Sequence, residues 1–324
     1  MLRSFLILLL VSAAIVAWES SVIESAAQSV TADSINGVLY VRSGGTYPPT
    51  PSGIQRAINQ ANKNGGGKVV LPPTNGSPIA MGMTGLTIYS NVCLVGAGMG
   101  ATVLSWTGKA NAIAGGNGLQ HACVKDLGLS FSAAAAGSTG IRIIGSDGIT
   151  NVSRLNDFEN IFIIYTAAAH ATGAGIYATS SGQSADIVQN SFRNIIVWFA
   201  NQFAQCTGCE GNFWIDVQGL DIGQNVGAVM FQENGLNGDE IVIARMESGS
   251  GSYANEICYS TSGNNNLVKL TCDASLTGVT AIGDTGGYNI FDVDTVGSPS
   301  LGTVAAKSQY RYVASATGMS THSP

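Results

Sequence analysis

Three short segments constrain this chain more than anything else in it. Asn156–Ile161 reads NDFENI, Asn190–Ile195 reads NSFRNI, and Asn212–Val217 reads NFWIDV, with Trp214 in the aromatic place and Asp216 in the second polar place. The series extends upstream through Asp126-Leu127 to Asn91-Val92 and downstream through Glu240-Ile241, Asn266-Leu267 and Asn289-Ile290, at intervals of about 35, 34, 34, 22, 24, 26 and 23 residues. Short strands and polar turns recurring at such intervals predict a parallel β-solenoid, in which each coil lays its strands on the coil before. The 42 glycines among 324 residues, with no strict period, fit many tight turns. Equivalent residues then stack. Phe158, Phe192 and Trp214 are expected to form a core column, while Asn160, Asn194 and Asp216 are expected to form a ladder at one bend. Lys125, Glu159 and Arg193 alternate in sign along a third column, either as a structural charge ladder or as a catalytic face. The longer early intervals imply outward loops, one of them SAAAAGSTG.

Ahead of the repeats stands SGIQRAINQANKNGGGKVVLPP, Ser52–Pro73. Ile54, Ala57, Ile58 and Ala61 give one apolar helical stripe, Ser52 and Gln55 suggest a capping box, and Gly65, Gly66 and Gly67 end the helix. Val69, Val70 and Leu71 then read as a strand stopped by two prolines. This unit, followed by LTIYSNVCLVGAGMGATVL, resembles the start of pectate-lyase-superfamily proteins. The resemblance implies an all-β fold, a right-handed parallel β-helix (solenoid), whose open N-terminal end is capped by the amphipathic helix at about 53–64. It is specific over about residues 50–105 and repeat-like from there to about 300. The lead-in YVRSGGTYPPTP departs from the usual Gly-Asp-Gly pattern. The expected organisation is an export segment over 1–27, a linker over 28–35, the β-helix over 36–310 and a loose tail over 311–324.

At the N-terminus, Arg3 precedes an apolar run from Phe5 to Ala17, suited to the h-region of a signal peptide cleaved before Gln28 or to an uncleaved anchor. The expected location is therefore secreted or extracytoplasmic. There Cys93, Cys123, Cys206, Cys209, Cys258 and Cys272 meet an oxidising compartment, although sequence alone leaves their pairing open. The CTGC at 206–209 lacks the second pair of a zinc ribbon and the setting of a redox site, which leaves a local disulfide or buried thiols. Cys258 and Cys272 flank a loop that a bridge between them would staple. A net charge of −6 without a basic stripe excludes nucleic acid as a partner, and nothing after the first segment resembles a membrane span.

The resemblance implies a polysaccharide partner and an enzyme of the lyase or hydrolase type, as monomer or trimer. The alternative is a non-catalytic solenoid for glycan binding, adhesion or cell-surface structure. A lyase needs a base near neutral pKa and a cation for the sugar carboxylate, calcium being the cofactor it would use. The lyase-like Trp-Ile-Asp-His is broken in FWIDVQG, where Val217 stands in the histidine place, and the polygalacturonase-like motifs are absent. A hydrolase needs two carboxyl groups across the scissile bond. Asp216, Glu240 and Asp221 are the candidate catalytic residues, with Glu233 and Asp239 close in sequence. Asp216 could instead continue the ladder. Trp198, Arg193 and Glu159 are the candidate substrate-binding residues, Trp198 offering a flat ring to a sugar. His121, His170 and His322 are too far apart for a local metal motif, and no metal site is expected from them.

Overall fold

The strand Asp157–Tyr165 shows how one coil is made. Phe158, Ile161, Ile163 and Tyr165 are buried while Asp157, Glu159, Phe162 and Ile164 face outward, a period of two broken once, where Glu159 and Asn160 are both partly exposed. Asn160 takes a left-handed conformation there, as do Asp126, Asn194 and Asp216 in neighbouring coils, with φ of 53°, 58°, 47° and 56°. Asn and Asp tolerate this region best among non-glycine residues, so the strand turns a corner convex to solvent. The sequence places these residues at a bend, and the bend lies inside a strand. The computed structural model describes residues 34–132, 135, 137–146, 151–166, 173–180, 186–223, 228–234, 238–248, 255–274, 278–315 and 321–323. The expected export segment and His170 lie outside the described residues.

Parallel strands then stack coil on coil. The large sheet runs in the order Val38–Tyr40, Gly67–Val70, Val92–Val95, Cys123–Phe131, Asp157–Tyr165, Ser191–Trp198, Phe213–Ile222, Glu240–Ser248, Leu267–Ala274, Ile290–Gly297 and Gln309–Ser315. A nine-stranded parallel sheet from Leu86–Ile88 to Ser300–Thr303 forms the second wall. A three-stranded ladder of Ser153–Arg154, Ile187–Val188 and Cys209–Glu210 joins them on part of the length. Successive parallel strands joined by crossovers of this kind wind right-handed, and the fold is a right-handed parallel β-helix. Its last parallel strand extends to Ser315, past the expected end at 310, with Thr321–Ser323 paired antiparallel to it.

The interior holds two kinds of column. Phe158, Phe192 and Trp214 are in register, with ring centroids 5.2 and 3.9 Å apart and planes within 11° of parallel, as the repeat predicts. Phe231, Tyr259 and Phe291 continue the aromatic packing edge-on, and Trp106, Phe131 and Tyr165 form a second stack. Phe192→Ala is expected to cost about 3–5 kcal/mol, because Phe192 is wholly buried between two rings that cannot close the gap. An unchanged unfolding midpoint would contradict the stack.

The second column is a buried ladder that begins each repeat. The backbone N–H of Ala122 donates to Asn156 Oδ1 at 2.9 Å, and the same bond recurs from Asn156 to Asn190, Asn190 to Asn212, Asn212 to Asp239, Asp239 to Asn266 and Asn266 to Asn289. This corrects the downstream repeat register. Glu240 pairs with Phe213, and Asn266 and Asn289 belong with Asn212, so Glu240-Ile241 and its successors are not equivalent to Asp216-Val217. Asn91 is likewise a turn residue, left-handed at φ 61°.

The cap is helix α1, Pro51–Lys63, which buries Ile54, Ala57, Ile58 and Ala61 against the strands Gly67–Val70 and Leu86–Ile88. Its N-cap is Thr50, whose side chain accepts from Gly53 N, with Pro51 pre-set at the first helical position. The expected capping box at Ser52 does not form. Gln55 instead accepts the Thr87 N–H at Oε1, at 2.8 Å, and donates from Nε2 to the Thr87 carbonyl at 3.1 Å. Its amide thus occupies the edge of the nine-stranded sheet as a further strand would. Gly66 is required at φ 131°, where a Cβ would meet the Asn91 carbonyl oxygen at 2.7 Å.

All six cysteines are bridged: Cys93 to Cys123 between adjacent coils, Cys206 to Cys209 within CTGC, and Cys258 to Cys272 through the core. These bridges are what an oxidising compartment forms. Among the described residues no helix is long and apolar enough to cross a membrane.

Candidate functional site

The candidate residues fall on the outer face of the large sheet, on both sides of the corner. On one side Arg193 and Glu159 meet, Nη2 to Oε2 at 3.2 Å, and Lys125 Nζ donates to Glu159 Oε2 at 2.9 Å. Asp157, absent from the expected set, closes the group, bonded to Arg193 at 3.0 Å and to Lys125. Burial acts against these charges, but Lys125 and Arg193 outweigh it and hold Asp157 below its ordinary range, while Asp157 and Glu159 lift Lys125 above its own. A lysine held in the charged form is no base at neutral pH. This group has the character of a charge ladder.

Across the corner Trp198 donates from Nε1 to Asp221 Oδ2 at 3.0 Å. Phe199 stacks on the indole at 4.9 Å and Phe162 tilts toward it at 6.4 Å, so the ring is fixed in place and part-buried. Asp221 is left-handed at φ 50° and lies where the pairing of Gly219 and Ile222 with Met246 and Ser248 slips by one residue. A bulge at that point re-aims its side chain, which reaches back to Trp198 while its charge acts on Arg245 and Glu247 in the coils that follow.

Those coils supply three residues that the sequence did not single out as one group. Glu247 and Asp273 are directly opposite in adjacent strands. Arg245 Nη2 lies 3.2 Å from Glu247 Oε2 and 2.6 Å from Asp273 Oδ2, and Arg245 Nε donates to the same Asp273 oxygen at 3.0 Å. Two oxygens at those distances from one nitrogen are at most about 6 Å apart, a separation that a retaining pair can have. Burial, with the charges of Asp221 and Asp273, outweighs Arg245 and holds Glu247 above the ordinary glutamate value. Two carboxyl groups therefore share one guanidinium, and that of Glu247 is held above its ordinary value. The signal in the sequence was the pair Arg245-x-Glu247 one coil before Asp273, legible only once the register is known.

The other candidates separate. Asp216 is exposed on the corner, the extra residue of a bulge between Ile215 and Val217. Glu240 faces Phe213 one coil on, three positions or about 10 Å back along the strand. Glu233 and Asp239 are buried and line no groove with them. A calcium ion would need several oxygen ligands together. Among the described residues no group of three or more His, Cys, Asp or Glu side chains is placed to hold a metal, and no step is assigned to one.

No family model matches the chain, and no curated protein matches it. Among solved structures it is similar to the A-module of the Azotobacter vinelandii mannuronan C-5 epimerase AlgE6, at 15% identity and a TM-score of 0.43, over 82% of this chain and 95% of that one. It is also similar to the AlgE4 A-module of the same organism, at 14% identity, TM-score 0.39, over 82% and 91%. A third is ORF18 of Geobacillus virus E2, at 14% identity, TM-score 0.45, over 87% and 62%. Likeness at these scores carries no argument; the fold rests on the strand pairing. That pairing defines a single-stranded right-handed parallel β-helix, the architecture of the pectate-lyase superfamily that the opening unit resembles.

Proposed function

We propose that the protein is an extracellular glycoside hydrolase acting on a polysaccharide, with Glu247 as general acid, Asp273 as nucleophile, Asp221 supporting them and Trp198 as sugar platform. The observation that carries this reading is the close Glu247–Asp273 pair bridged by Arg245, with Glu247 held toward its protonated form. Asp273 Oδ2 is held by Arg245, so Oδ1 attacks the anomeric carbon while Glu247 gives its proton to the departing glycosidic oxygen. The resulting glycosyl ester is hydrolysed when water gives a proton to the Glu247 carboxylate and attacks the same carbon, which frees Asp273 with the anomeric configuration retained. The three disulfides support action outside the cell.

The test is a polysaccharide panel read both for reducing ends and for unsaturated products absorbing in the ultraviolet. Reducing ends alone are expected. Glu247→Gln and Asp273→Asn each are expected to lower kcat by about 10²–10⁴-fold with thermal unfolding retained, whereas Asp216→Asn and Glu240→Gln leave it within a few-fold. Because Glu247 must be protonated to act and its pKa is raised, activity is expected to fall on the alkaline side at a higher pH than an ordinary glutamate gives. Unsaturated products would replace this reading with a lyase. Binding without cleavage would replace it with the non-catalytic glycan-binding solenoid.

A further inference from the structure

We infer that the polysaccharide is a neutral one, without uronate, sulfate or phosphate groups, an inference that rests on the hydrolase reading for its site. Recognition of a sugar acid calls for a cation whose hydrogen bonds are available to it, most effectively a guanidinium offering two parallel donors. The site brings together Asp221, Glu247 and Asp273 against one guanidinium, Arg245, and that guanidinium is already bonded to Asp273 and Glu247. Most cations around the corner are paired in the same way: Lys125 and Arg193 with Asp157 and Glu159, and Arg311 with Asp292, while Lys269 is exposed and in register with Asp292. With acids in excess over bases at the site and a chain of net charge −6, the local field repels a polyanion and leaves a neutral chain indifferent.

What the site does offer suits a neutral sugar. The Trp198 indole, backed by Phe199, presents an apolar face, and Gln218 lies in register between Ile196 and Arg245, one coil beyond Trp198. Carboxylates accept from sugar hydroxyls as readily as from N–H groups. The strands bearing Trp198, Asp221, Glu247 and Asp273 are successive, so the platform is about 10–14 Å from the reacting pair, at two to three strand spacings. A polysaccharide lying along the helix axis would rest one ring on Trp198 and place a bond further along the chain between Glu247 and Asp273.

The test compares the full chain on soluble galactan, arabinan, mannan and xyloglucan with polygalacturonate and alginate, measuring retention in native affinity gels and reducing-end release at low salt. At least one neutral polymer is expected to be retained and cleaved at least tenfold better than either polyuronate, with retention weakened by Trp198→Ala. Added salt, by screening the carboxylates, is expected to raise retention of the polyuronates and leave the neutral polymer unchanged. Cleavage of a polyuronate above every neutral polymer, lost in Glu247→Gln, overturns the neutral substrate and leaves the hydrolase standing. Retention of a neutral polymer without cleavage overturns the hydrolase and leaves the neutral ligand. Retention of a polyuronate alone, or of no polymer at all, overturns the inference.

Discussion

Ile58→Asp is expected to unfold the N-terminal end of the coil and to lower the stability of the whole chain by on the order of 4 kcal/mol. Ile58 is fully buried in the apolar stripe of helix α1, between the helix and the strands that open the two large sheets. An aspartate there loses the packing of a branched side chain and puts a carboxylate where no partner reaches it. The consequence spreads, because the cap covers the end of a stack in which each coil depends on its neighbour. The N-terminal strands would then present unpaired edges and apolar side chains to solvent, so aggregation is expected with the loss of stability. A lower thermal midpoint together with early proteolysis near Gly65–Gly67 is the expected result. Gln55→Ala separates the two roles of the helix. It keeps the stripe and removes the two bonds to Thr87 together with an exposed one to Asn59, and a loss of about 1 kcal/mol is expected. An Ile58→Asp protein with the parent's midpoint would show that the helix does not seal the coil.

The sequence made the solenoid legible because stacking imposes identity on equivalent positions. The aromatic column and the first-half corner repeat at a fixed spacing from each other within NDFENI, NSFRNI and NFWIDV. It failed to carry the register beyond Asp216, and the reason is physical. The corner is a left-handed residue through Asp216, but the next coil shifts register around Val217 and Gln218, and the polar residue that persists is the buried one that starts the repeat. Glu240, Asn266 and Asn289 therefore matched the pattern by type while occupying other positions. The same slip hid the carboxylate site. Asp221 and Trp198 were recognisable as residue types, but Arg245, Glu247 and Asp273 join them only through a bulge and an exact strand pairing. The Ser52 capping box failed because Thr50-Pro51 fixes the helix start two residues earlier, which freed Gln55 for the sheet edge.

Asp239→Asn is expected to stabilise the protein, by about 1–3 kcal/mol at neutral pH or several degrees in Tm. Asp239 is the one acid in a buried ladder otherwise made of Asn156, Asn190, Asn212, Asn266 and Asn289. Its Oδ1 does what each asparagine carbonyl does, accepting from the Asn212 N–H at 2.9 Å. Its Oδ2 stands where an asparagine has an amide donor, and it finds no partner. Asn156, Asn190 and Asn212 give that donor to the carbonyls of Leu119, Ser153 and Ile187. Register carries the series on to Cys209, so an ionised Asp239 would set an oxygen against an oxygen. Burial, then the nearby Glu233 charge and a smaller contribution from Glu210, push the Asp239 carboxyl up to about 8, and Tyr259 is the other titratable group that senses it. The proton stays on in the folded chain and supplies the missing donor. In the unfolded chain the same carboxyl ionises near its ordinary value of 3.8. Its contribution is therefore fully present below about pH 4, declines as pH rises toward about 8 and is constant above. An asparagine does not titrate, so the Tm difference between variant and parent should widen from pH 4 to pH 8 and then level off. Thermal unfolding of the two proteins across that range measures it, and a difference that is flat with pH would show Asp239 to be ionised throughout.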